Sequence, residues 1–176
     1  MSIDFSKTHF QLFDLPQSYA LDVDQLERAY RRIQSEVHPD RFAHLGDAEK
    51  RLSLQWATQA NAAYQTLKKP LARARYLLLL NGVDTQEETN TAMPADFLMA
   101  QMEWREAIAD ARHGKDVDAL EQLSGRLRDE THTLQATLGK QLDQDGDFAG
   151  AALGVRKLKF LEKLDEEIGD ALEILL

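Results

Sequence analysis

Apolar residues recur along this chain at three- and four-residue spacing, in stretches cut apart by proline, glycine and polar runs. Leu26, Ala29, Tyr30, Ile33 and Val37 form one stripe and predict a helix over residues 23–37. Asp22, with Gln25 three residues on, gives it a capping-box-like start. Ahead of it, residues 9–16 are short, apolar and closed by Pro16, which predicts one or two helical turns feeding a core. Leu52, Trp56, Ala60, Ala63, Tyr64 and Leu67 form a second stripe. It predicts a long helix capped by Asp47 and running to about Lys69, where Lys68 and Lys69 suit the C-terminal dipole and Pro70 marks the boundary. Residues 70–80 predict a helix that begins at proline, is apolar nearly all round and is buried between two layers. Residues 83–93 are polar and acidic, the pattern of a linker. Three further amphipathic patterns follow, over residues 95–112, 116–142 and 147–175. Their connections are short, so they imply an antiparallel three-helix bundle. No segment has a convincing strand period, and no internal repeat is visible.

The first two long helices are joined at His38-Pro39-Asp40. Pro39 lacks an N–H and pushes His38 out of the α region, so it stops the helix before it. An imidazole and a carboxylate are then held on a stiff connection, with residues 42–46 expected as loop. Polar groups in such a place are more often functional than polar groups on a helix face. Arg28, Arg31 and Arg32 stand off the apolar stripe of residues 23–37, as a basic docking face or simply a solvated one. A His-Asp pair can orient a base, but neither a Gly-rich loop nor a serine elbow lies nearby to complete a catalytic site. His38, Asp40 and His44 could approach a metal, though their spacing matches no recognised site. No catalytic residue, metal or cofactor is expected.

A second group of residues lies off the core stripes. At about 100° per residue, Phe97, Trp104, Ile108 and Ala111 share one side of the first bundle helix. Leu98, Met99 and Met102 lie on another side, together with Glu103, Glu106 and Asp110. One helix of a three-helix bundle cannot bury both sides. Phe160 falls about 100° off the stripe through Leu158, Leu161, Leu164 and Ile168. Apolar side chains rimmed by acids mark a partner site if exposed; otherwise they pack on the N-terminal segment or widen the core.

Composition narrows the function classes. The 176 residues suit one domain or two small ones, and 43% hydrophobic content supports a real core. The absence of cysteine excludes disulfides, thiolate metal sites and a cysteine nucleophile. A net charge of −9 argues against nucleic acid or an anionic membrane as partner. The longest apolar run, residues 76–80, is far too short to span a bilayer. The first residues show no signal or transit peptide, so a soluble cytoplasmic protein is expected.

The His38-Pro39-Asp40 triplet is a weak signal alone. Between a basic amphipathic helix and a long second helix carrying Asn61-Ala62-Ala63-Tyr64-Gln65-Thr66-Leu67, it resembles the J domain of co-chaperones that activate seventy-kilodalton heat-shock ATPases. Pro70-Leu71-Ala72-Arg73-Ala74-Arg75-Tyr76-Leu77-Leu78, Phe97-Leu98-Met99 and the segment 155–164 widen the resemblance to nearly the whole chain. In combination they resemble the HscB family of J-type co-chaperones of iron–sulfur cluster assembly. The resemblance implies an all-α protein: a J domain over residues 1–80, a linker over 81–94 and a three-helix bundle over 95–176. It implies two partners, the chaperone ATPase HscA and the cluster scaffold IscU. His38, Pro39, Asp40, Arg28, Arg31 and Arg32 would meet the ATPase. Leu98, Met99, Met102, Glu103, Glu106, Asp110 and Phe160 would meet the scaffold. Met102 and Asp110 stand where the family pattern has leucine and glutamate, which keeps the chemistry. A general J-protein that presents unfolded clients is the other reading.

Overall fold

The computed structural model describes residues 4–87 and 92–176. Within them the protein is all-α, with no strand. The chain divides into two compact units, Met1–Leu77 and Leu78–Leu176.

In the first unit, Thr8 and Gln11 close a reciprocal capping box on a single turn, α1 (His9–Leu12). That turn delivers Phe10 and the following Phe13 into the core. Helix α2 (Val23–Glu36) starts as expected: the Asp22 carboxylate accepts from the N–H groups of Asp24 and Gln25. Its buried edge is Leu26, Ile33 and the C-cap Val37, with Ala29 and Tyr30 half-buried. Helix α4 (Asp47–Lys68) runs antiparallel to it. Tyr30 stacks on Tyr64 at 4.1 Å and 5°, and its hydroxyl donates to Asn61 Oδ1 at 3.0 Å. Seven residues on along α2, Ser53 Oγ of α4 donates to Val37 O at 3.0 Å. Numbers rising on α2 meet numbers falling on α4.

Several expectations are corrected here. Residues 42–46 are not all loop: Pro39 ends α2 and also opens a one-turn helix, α3 (Pro39–Phe42). Proline does both because its fixed φ suits a first helical position, where its missing N–H costs nothing. Asp47 is the first residue of α4 rather than its cap; Gly46 holds that place without a side-chain bond. Leu52 is exposed, and Ser53 is buried in its stead. Both lie in phase with Trp56, and a serine hydroxyl can enter the core because Val37 O accepts its proton.

Helix α5 (Pro70–Leu80) begins at proline as expected, and the division between units falls inside it. Its burial is partial. Leu71, Ala74, Leu77 and Leu78 are buried, whereas Leu79 and Leu80 are exposed. Arg73 is buried too. Its guanidinium donates to Leu67 O at 2.7 Å and lies over the Tyr19 ring at 5.0 Å, which removes a helix-end carbonyl from the unsatisfied set.

The second unit is built on α6 (Ala95–His113), α7 (Val117–Lys140) and α8 (Phe148–Leu175), which pack pairwise. Trp104, Ile108 and Ala111 of α6, Leu120, Leu123 and Leu127 of α7, and Leu161, Leu164 and Ile168 of α8 make one core. Asp116 caps α7 through Ala119 N, and Asp147 caps α8 through Gly150 N. The second bundle helix stops short of the expected Leu142: α-geometry ends at Lys140, and a π turn (Gln141–Asp145) follows, closed by Gly146 at φ 63°. Beside it α7 and α8 approach closely, since a Cβ on Gly154 would lie 2.8 Å from Leu138 Cδ2. Of the polar segment after α5, residues 88–91 lie outside the described residues. Thr85 is buried, and its carbonyl accepts from Arg156 of α8 at 3.3 Å.

Candidate functional site

Two surfaces carry the residues singled out by sequence, one on each unit. The first is the turn between α2 and α4. His38 is the N-cap of α3, and its Nδ1 accepts the Asp40 N–H at 3.3 Å. A neutral ring in that role carries its proton on Nε2, directed away from the cap. The Asp40 carboxylate approaches the same Nδ1 at 3.5 Å. That contact becomes an ion pair only if the ring takes a second proton, and Nδ1 then ceases to be the acceptor of the cap. The ring, Pro39 and Asp40 are all exposed, and none belongs to the core. The turn is nevertheless held in place. Val37, one residue before His38, is buried and has its carbonyl pinned by Ser53. Tyr30, Val37, His38, Pro39 and Ala60 border a groove of about 200 Å³ beside the turn.

Arg28, Arg31 and Arg32 are exposed on α2. They are not equivalent. Arg31 Nη2 lies 2.7 Å from Glu27 Oε1, an i,i+4 pair, so part of its charge is already answered. Among the described residues, Arg28 and Arg32 have no acidic partner within ion-pair distance. His38, Asp40 and His44 do not assemble a metal site; no group of three or more candidate ligands does so among the described residues.

The second surface is on α6. Leu98, Met99 and Met102 are 44%, 63% and 72% exposed, far outside the core their helix serves. Glu103, Glu106 and Asp110 are exposed in the next turns. Phe160 differs from the expectation of a fully outward side chain. It is half-buried and packs against the bundle core. Its ring meets Phe97 edge-on at 5.7 Å, and the Arg105 guanidinium lies 5.5 Å from its centre. Arg105 is held in turn by Glu167 at 3.2 Å. Phe160 therefore lies between Phe97 and the bundle core, because a large ring one position off the stripe can reach both. The supports Ser53, Asn61 and Arg105 were missed as site residues. For Ser53 the signal was its stripe phase; for the other two, only tertiary contacts identify the role.

The geometry is one of docking, with exposed polar and apolar groups on firmly packed helices. Residues 93–169 match the family described as the HSCB C-terminal oligomerisation domain. The co-chaperone protein HscB homolog of Chromobacterium violaceum is 60% identical over 176 residues, covering 100% of this chain and 99% of that one. The chain belongs to the HscB co-chaperone family. The HscB homolog of Azoarcus sp. (strain BH72) is 53% identical over 175 residues, 99% of each chain. Among solved structures, chaperone HscB from Vibrio cholerae has a TM-score of 0.86 at 36% identity, covering 97% of this chain and 100% of that one. Human co-chaperone protein HscB has a TM-score of 0.89 at 30% identity, covering 96% and 84%. The protein is thus a J-type co-chaperone of iron–sulfur cluster assembly. Among the described residues no helix is long and apolar enough to cross a membrane.

Proposed function

We propose that this chain delivers the cluster scaffold IscU to the chaperone ATPase HscA in the cytoplasm and stimulates ATP hydrolysis by HscA, without chemistry of its own. The observation that carries the reading is the presence, on one HscB-family chain, of an exposed His-Pro-Asp cap and an exposed, acid-rimmed Leu/Met patch. The residues 1–80 act as the J domain, residues 81–94 as linker and residues 95–176 as the scaffold-binding bundle. The cap and the free charges of Arg28 and Arg32 bind one conformation of the ATPase better than the other. Differential binding of that kind shifts the ATPase toward hydrolysis, and its size limits the shift. The patch at Leu98, Met99 and Met102 gains from being covered, and the carboxylates of Glu103, Glu106 and Asp110 select a partner with a basic rim.

The description of the C-terminal family suggests a second occupant for the patch, another copy of this chain. Two such patches facing each other would bring the acidic rims together on a protein of net charge −9, which favours the scaffold instead. The deciding experiment is the HscA ATPase rate with this protein, with and without IscU. Stimulation by the protein, raised further by IscU, supports the reading. Equal stimulation with a denatured model client in place of IscU would favour a general J-protein.

A further inference from the structure

The chain contains no cysteine, so its thioethers are the sulfur it offers to an oxidant. It has four methionines. Met1 lies outside the described residues and Met93 is half-buried, whereas Met99 and Met102 are among the most exposed apolar side chains of the protein. They stand three residues apart, on neighbouring turns of one face of α6. Reactivity toward oxidants follows access to the sulfur, so these two thioethers are the vulnerable ones.

We propose that Met99 and Met102 form a peroxide-sensitive modification site, whose oxidation to methionine sulfoxide releases the scaffold. The proposal rests on the reading of the α6 patch as the scaffold-docking surface. In each step the thioether sulfur attacks one peroxide oxygen. The S–O bond forms and the O–O bond breaks, the departing oxygen takes a proton and leaves as water, and sulfur is oxidised by two electrons. A methionine sulfoxide reductase reverses the step with a dithiol, which becomes a disulfide as the sulfoxide oxygen leaves as water. The sulfoxide oxygen is a strong acceptor, and covering it with an apolar partner face leaves it without a donor. The rim cannot supply one, because the carboxylates of Glu103, Glu106 and Asp110 only accept. Arg105, the nearest cation on α6, is already engaged with Glu167 and the Phe160 ring. Both sulfurs are outside the core, so the bundle remains folded when they are oxidised.

The test treats the full chain with hydrogen peroxide, removes the peroxide with catalase, locates the sulfoxides by peptide mass mapping and measures IscU affinity. Met99 and Met102 are expected to oxidise ahead of Met93 with helicity unchanged. Affinity should fall at least about tenfold, which corresponds to about 1.4 kcal/mol, and the reductase should restore it. The Met99→Leu, Met102→Leu variant keeps the apolar volume but carries no thioether on this face, so the IscU affinity it starts with should not change on peroxide treatment. Oxidised wild type that binds as tightly as untreated protein overturns the switch. So does a leucine variant that loses as much affinity to peroxide as wild type does. If untreated wild type does not bind IscU, or if Leu98, Met99 and Met102 can all become alanine without loss, the patch reading falls and the switch with it.

Discussion

At the scale of single residues, His38 has two tasks that its position keeps separate. Its Nδ1 caps one turn of helix, while the rest of the ring and Asp40 face outward. His38→Gln should therefore leave far-UV circular dichroism and IscU binding near wild type yet abolish stimulation of HscA. Stimulation within about twofold of wild type, well short of a tenfold or about 1.4 kcal/mol effect, would count against the role given to the ring. His9 makes a different kind of prediction. Its ring stacks on Tyr76 at 4.3 Å and 17°, and burial there pushes its pKa below the usual 6.5. A histidine whose folded pKa is depressed is more protonated when unfolded, so stability rises with pH across that interval. The contribution is complete above about pH 6.5 and is lost as pH falls through the lower, folded value. The gap in melting temperature between wild type and His9→Phe should accordingly shift against wild type on acidification from about pH 7.5 to about pH 5.5. A gap that stays constant over that range would mean the stacked ring titrates normally. The His-Pro-Asp turn was legible in the sequence because proline punctuates the backbone. The His9–Tyr76 stack was not, since its partners lie 67 residues apart.

At the scale of elements, the apolar period identified every long helix, and errors gathered where two readings share a phase. Leu52 and Ser53 are both in step with Trp56, and only a carbonyl from another helix decides between them. The π turn after Lys140 was illegible for a similar reason: its side chains keep an acceptable α period while the backbone does not. Two glycines in α8 show what local sequence leaves open. A Cβ on Gly154 would press on Leu138, which is fully buried, whereas a Cβ on Gly169 meets nothing within 4 Å. Gly154→Val should overpack the α7–α8 crossing and cost about 1–3 kcal/mol. Gly169→Ala should stabilise by about 0.5–1 kcal/mol through helix propensity. Melting temperatures that move the same way for both would contradict this assignment of contacts. On α2 the basic face divides into Arg31, paired with Glu27, and the freer Arg28 and Arg32. Arg28→Glu with Arg32→Glu should slow association with HscA at low salt and flatten its salt dependence, because exposed charges chiefly steer encounter. An unchanged association rate would leave these arginines as a solvated face.

At the scale of the whole molecule, each unit is compact in itself, and each carries one exposed surface that its core does not need. Helical wheels showed that Leu98, Met99 and Met102 could not join the stripe of Trp104, Ile108 and Ala111. They misplaced Phe160, because a wheel records direction and not the reach of a large ring. This difference decides which variants report on docking. Phe160 packs on the bundle core, so Phe160→Ala mixes a loss of stability, up to about 3–5 kcal/mol for a full core site, with any loss of binding. Leu98→Ala, Met99→Ala and Met102→Ala together remove only exposed apolar surface. The triple variant should melt near wild type, since surface substitutions away from structural features change stability by about 0.5 kcal/mol or less each. Its affinity for IscU should nevertheless collapse. Large apolar side chains gain roughly 1.5–3 kcal/mol each when a partner buries them fully, and interface energy concentrates in a few such anchors. The same variant should stimulate HscA normally when IscU is absent, because the His-Pro-Asp turn lies on the other unit. Only the additional stimulation that IscU brings should disappear. A triple variant that unfolds would assign these residues to packing. One that melts normally and still binds IscU would move the scaffold surface elsewhere on the bundle.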